Sequence, residues 1–140
     1  ATWCEAGHLR RNWIGCCHAK YRAFKPLLAP LGAADLGGDG LIELAYIDCP
    51  HLAKTLIIWR VEGGELRFIS ELASYTNQRI GERKIAGGIR TCNGMPETIV
   101  SRADWSEVAA ITFGGDGFVV KTIGQDTSRP AFATAMSCND

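Results

Sequence analysis

The stretch TLIIWRVEGGELRFISEL, residues 55–72, decides the fold class. Its first part, Thr55–Val61, is β-branched and aromatic (Ile57, Ile58, Trp59, Val61), the composition of a strand covered on both faces. Its last part, Glu65–Leu72, sets Leu66, Phe68 and Leu72 against Arg67 and Glu71, the alternation of a strand with one wet face. Gly63 and Gly64 lie between the two. The tightest connections between antiparallel strands need positive φ, which glycine adopts without a steric cost, so the stretch reads as a hairpin.

Working outward, Leu41–Asp48 places Ile42, Leu44 and Tyr46 on one side and reads as a further strand. Val108–Phe113 and Phe118–Ile123, joined by Gly114-Gly115-Asp116-Gly117, repeat the hairpin logic. Pro130–Cys138 alternates Phe132, Thr134, Met136 and Cys138 with small residues and predicts a last strand, one face nearly bare. Leu31–Gly40, rich in glycine and alanine, reads as a loop, and Asp104-Trp105-Ser106-Glu107 as a capping box that starts a short helix. Ser74–Gly94 reads either as a long loop or as an irregular pair of edge strands. At the other end, Leu9, Trp13, Cys17, Tyr21, Phe24 and Leu28 recur at helical spacing, which predicts an amphipathic helix over His8–Leu28 ended by Pro26 and Pro30. The expected class is α+β: an N-terminal amphipathic helix packed on an antiparallel sheet built from hairpins, one disulfide-stapled domain over residues 1–140.

Six cysteines, Cys4, Cys16, Cys17, Cys49, Cys92 and Cys138, run from end to end without a C-x-x-C pair. Even number and scattered spacing suit long-range disulfides, and disulfides point to an oxidising compartment, hence a secreted or periplasmic protein. Ala1 in place of methionine fits a chain freed of a signal peptide. Adjacent Cys16 and Cys17 differ by about 100° around a helix, so each would take its own distant partner, with bridges to Cys49 and Cys138 pinning the helix to the sheet. Six cysteines allow about 15 pairings, and spacing does not choose among them. Fifteen basic and fifteen acidic side chains cancel, which removes any global attraction to nucleic acid, and no apolar run approaches the ~20 residues of a membrane-spanning helix.

Chemistry-bearing residues are sparse. A cysteine hydrolase or amidase would take Cys16 or Cys17 as thiolate and His51 as base, yet neither cysteine opens the expected helix and His51 follows Cys49-Pro50, a turn signal. Cys4, His8, Cys16, Cys17 and His18 lack zinc-site spacing, so neither metal nor cofactor is expected. Arg11, His18, Arg22 and Lys25 form a basic stripe that reads as a solvated helix face. Gly37-Gly38-Asp39-Gly40 precedes a strand and Gly114–Gly117 sits inside a hairpin, so neither cradles a phosphate at a helix start. With no convincing catalytic set, the expectation is a binding protein of the inhibitor or immunity type, its partner another protein, an enzyme, rather than an enzyme itself. The charged, glycine-containing segment Ser74–Gly94 supplies the expected contact residues Tyr75, Asn77, Gln78, Arg79 and Arg83, since tyrosine and arginine are rich in binding hot spots. The alternative is the small secreted hydrolase using Cys16 or Cys17 with His51.

Overall fold

A computed structural model describes residues 28–51, 53–115 and 117–139. Two antiparallel sheets carry the fold. The first is β1 (Leu28–Ala34), β2 (Ile42–Asp48), β3 (Thr55–Glu62) and β4 (Glu65–Ala73), paired in that order. The second is built on β7 (Pro96–Arg102), β8 (Val108–Gly114) and β9 (Gly117–Gly124), with β5 (Tyr75–Thr76) and β6 (Gly88–Thr91) both paired to β7. Among the described residues one helix, α1 (Arg129–Met136), follows.

The hairpin over residues 55–72 pairs as expected, from Glu62↔Glu65 back to Thr55↔Ala73 around Gly63 (φ 60°) and Gly64 (φ 79°). A bulge opposite Ile58 and Trp59, however, splits the expected face of β4: Leu72 packs into the core between the sheets and Phe68 against Trp59 on the other side. Leu56, Ile57, Ile58 and Trp59 are all buried, as a central strand covered on both faces requires. Ala45 and Ile47 of β2 with Leu56 and Ile58 of β3 meet Val100, Ala109, Ile111 and Phe113 of the second sheet, so the main core lies between the sheets. Tyr46, Ile57 and Trp59 form a smaller cluster on the other face of the first sheet, where the Trp59 indole donates to the Tyr46 hydroxyl at 2.7 Å.

Several expectations give way to tertiary structure. Among the described residues the helix packed on a sheet is α1, near the C-terminal end; the N-terminal helix expected over His8–Leu28 lies outside the described residues except for Leu28, which opens β1. Pro130–Cys138 is no strand. Ser128 caps α1, its hydroxyl accepting from the Ala131 amide, and Pro130 falls in the first turn, where a missing N–H costs nothing. The alanines favour a helix, and Phe132 and Met136 satisfy its period as well as an alternation, whereas Ala135 joins them only at helical spacing. They cover Ile99, Val108 and Ala110 on the outer face of the second sheet. Leu31–Gly40 is strand as far as Ala34: β1 is an edge strand with a bulge between Pro30 and Gly32, a place that tolerates proline. Asp104–Glu107 is a turn between β7 and β8 with Trp105 at φ 61°, because the Glu107 carboxylate binds Arg102 Nε (2.9 Å) instead of closing a helix cap.

Cys138 is bonded to Cys92, in the β6–β7 turn, not to the N-terminal segment. The bridge ties the end of α1 back to the second sheet and, with a sequence separation of 46, is worth about 2–4 kcal/mol. Cys49 is also disulfide-bonded, to a sulfur outside the described residues, and no described cysteine is free. No described helix is long and apolar enough to cross a membrane.

Candidate binding site

Ser74–Gly94 resolves into the two edge pieces β5 and β6, and their pairing defines the longest connection among the described residues. Thr76 is opposite Ser101 and Gly88 is opposite Ile99, so β5 and β6 run along the same edge of β7 as one strand interrupted opposite Val100. Residues 77–87 leave and return through that gap. An insertion of this kind is a much enlarged bulge, a device that re-aims side chains away from a sheet.

The base of the loop is fixed from several directions. The Ala86 amide donates to the Asn77 carbonyl at 2.6 Å, and the buried Asn77 amide Nδ2 donates to the Ala29 carbonyl at 3.1 Å. Gly87 adopts φ 81° so close to β7 that a Cβ there would stand 2.0 Å from the Ile99 carbonyl oxygen. Ile85 packs into the core between the sheets, and Ala86 packs against the α1 cluster. Within the loop, the Glu82 amide donates to the Arg79 carbonyl (3.1 Å), and Gln78 Nε2 donates to the Glu82 carbonyl (3.0 Å). The Arg79 guanidinium lies 4.3 Å from the centre of the Trp105 ring and donates to Thr127 Oγ1 at 2.9 Å. Arg129 reaches Glu82 at 3.6 Å.

The five residues expected at the contact surface therefore divide. Tyr75 and Asn77 are buried, Gln78 and Arg79 are half-buried and bonded within the fold, and Arg83 is exposed. The tip is made instead by Ile80, 79% exposed, with Gly81, Arg83 and Lys84, all exposed. Ile80 and Lys84 escaped the sequence reading because hot-spot composition favours tyrosine and arginine. The available signal was an isoleucine with no apolar neighbour at strand or helix spacing, flanked by Arg79 and Gly81.

A second polar locus lies at one end of the sandwich. Asp35, Asp39 and Glu43 bring carboxylate oxygens within 4.8 Å of one another, a spacing at which carboxylates can share a cation. Their oxygens are largely committed. Asp35 accepts from the amides of Asp39 (3.1 Å) and Gly40 (2.8 Å), and Asp39 from that of Leu41 (3.0 Å). The fully buried Glu43 accepts from the Gly37 amide (2.9 Å) and from Arg60 Nε (3.4 Å), and Arg60 also reaches Asp39 (3.6 Å). An open recess of about 490 Å³ adjoins them, lined among others by Arg60, Ser70 and Phe113.

Of the alternative catalytic set, Cys16 and Cys17 lie outside the described residues, together with Cys4. His51 is half-buried in the turn after β2, its Nε2 without a hydrogen-bond partner among the described residues. Nearby in sequence, Asp48 is buried, and burial, then the Glu71 carboxylate, pushes its carboxyl up to about 6. No protein-family model, curated protein or solved structure matches the chain.

Proposed function

We propose that the chain is an exported binding protein, secreted or periplasmic, of the inhibitor or immunity type, and that it blocks a partner enzyme through the loop 77–87. One observation carries the reading: an isoleucine stands four-fifths exposed at the tip of a loop whose base is locked by hydrogen bonds, ring stacking and core packing. A single exposed aliphatic side chain on a surface is ordinary. Its placement on a fixed projection is what matters, since a preformed loop avoids much of the ordering cost that a flexible one meets on binding. Disulfides at Cys49 and Cys92–Cys138 support an oxidising compartment. Of the residues expected from the sequence, Arg83 keeps a contact role, while Tyr75, Asn77, Gln78 and Arg79 hold the loop in shape.

The test places a photo-crosslinking side chain at position 80 and, as a control, at exposed position 122 on β9, in the fluid the protein occupies in its host. A discrete adduct from position 80 alone, with an enzyme whose activity falls on stoichiometric addition of the protein, is expected. Equal labelling from both positions, or none from 80, would remove the loop from consideration.

A further inference from the structure

We infer that the loop tip is built to engage an acidic protein surface that offers a pocket for one aliphatic side chain, an inference resting on the assignment of binding to the loop 77–87. The chain as a whole is neutral, with fifteen charges of each sign, yet charge is not spread evenly. Residues 78–84 and the adjoining 126–129 carry Arg79, Arg83, Lys84 and Arg129 against two carboxylates, Glu82, which is already paired with Arg129, and Asp126, which accepts from the Ser128 amide. Arg79 is spent on Thr127 and Trp105. Arg83 and Lys84 remain exposed beside Ile80.

A cation pair flanking an apolar anchor is complementary to carboxylates that rim a pocket, an arrangement that steers encounter and fixes register. Other polyanions fit less well. Nucleic acid without a duplex groove is held by bases stacking on exposed aromatic rings, and Trp105, the ring that packs against Arg79 of this loop, has that guanidinium across its face. An anionic bilayer would gain only one isoleucine side chain and two cations, too little for stable anchoring when a whole myristoyl chain binds only marginally.

Selection of a displayed random dodecapeptide library on the immobilised protein tests this, followed by titration of the enriched peptides against the Ile80→Ser variant and the double variant Arg83→Glu, Lys84→Glu. Both change only exposed side chains, so the fold is retained. Enriched peptides are expected to carry two or more carboxylates near an aliphatic residue, and each variant to weaken them by about tenfold or more. Neutral or basic peptides that still depend on Ile80 would overturn the acidic partner and leave the loop assignment standing. Acidic peptides indifferent to both variants, or no enrichment, would overturn the loop assignment itself. Tighter binding to phosphatidylserine vesicles or to a single-stranded oligonucleotide than to any acidic peptide would overturn a protein as the partner.

Discussion

Two glycine-containing, charged connections, residues 35–40 and 77–87, spend their polar groups in opposite directions. In the first, the carboxylates of Asp35 and Asp39 fold back on the amides of Asp39, Gly40 and Leu41, and Arg60 crosses to Asp39 and Glu43. Little is left to offer a partner. In the second, Asn77, Gln78 and Arg79 bond to the scaffold at the base and flank, while Ile80, Arg83 and Lys84 are turned out to solvent. A turn closed on itself serves the fold. A projection held from below by its neighbours is the one suited to meeting another molecule.

That contrast can be broken most forcefully at Gly87. Gly87→Ala places a methyl group against the Ile99 carbonyl at a positive φ, so the loop base must shift. A loss of about 4 kcal/mol or more in denaturant unfolding is expected, from backbone strain and overpacking together. Glu43→Ala in the first connection removes the acceptor of the Gly37 amide and one partner of Arg60. The expected cost is about 2–3 kcal/mol by the same measurement, since it leaves the Gly37 amide without its acceptor and Arg60 with Asp39 alone. Arg79→Ala removes a charge-assisted hydrogen bond and a ring contact and is expected to cost about 1–2 kcal/mol. Amide exchange should then quicken over residues 78–84 and stay unchanged over 35–40; the reverse would mean that Arg79 does not pin the tip.

Acid acts on one connection before the other. Hydrogen bonds, that from the Gly40 amide first, hold the Asp35 carboxyl below the ordinary carboxylate range. A carboxyl lowered in the folded state contributes stability that is present above about pH 4 and lost as pH falls through its folded value. The amides of Asp39 and Gly40 should therefore lose exchange protection on acidification before the Ala86 amide, whose acceptor is the Asn77 carbonyl and does not titrate. Smallest in stability terms is the double change Arg83→Ala, Lys84→Ala, expected within about 0.5 kcal/mol of the parent because both side chains are exposed. Loss of partner binding with stability intact is the signature of a contact surface.

Strand pairing was legible wherever local chemistry sufficed. Gly63-Gly64 and the glycines after Phe113 demanded tight turns, and the unbroken apolar run Leu56–Trp59 demanded cover on both faces. Pro130–Cys138 was not, because Phe132 and Met136 fit both a two-residue and a 3.6-residue period, and only the outer face of the second sheet, with Ser128 as cap, selected the helix. Charge and glycine content likewise marked Ser74–Gly94 as exceptional. They did not distinguish the residues that anchor it from those that face outward, since Arg79 and Arg83 are one residue type in one segment.

By itself the amino-acid sequence pointed to antiparallel pairing, to distant cysteines joined as a disulfide, and to a neutral chain with one charged, glycine-containing segment at Ser74–Gly94. Turn stereochemistry, hydrophobic period and charge act between near neighbours, so a linear reading reaches them. Tertiary structure alone decided that Cys138 joins Cys92, that the described helix packs near the C-terminal end, and that Ile80 rather than Tyr75 crowns the loop. Each of these depends on which distant backbone arrives alongside: β7 for the loop, the β6–β7 turn for the cysteine. Contacts between residues far apart in the chain leave no periodic trace in either partner.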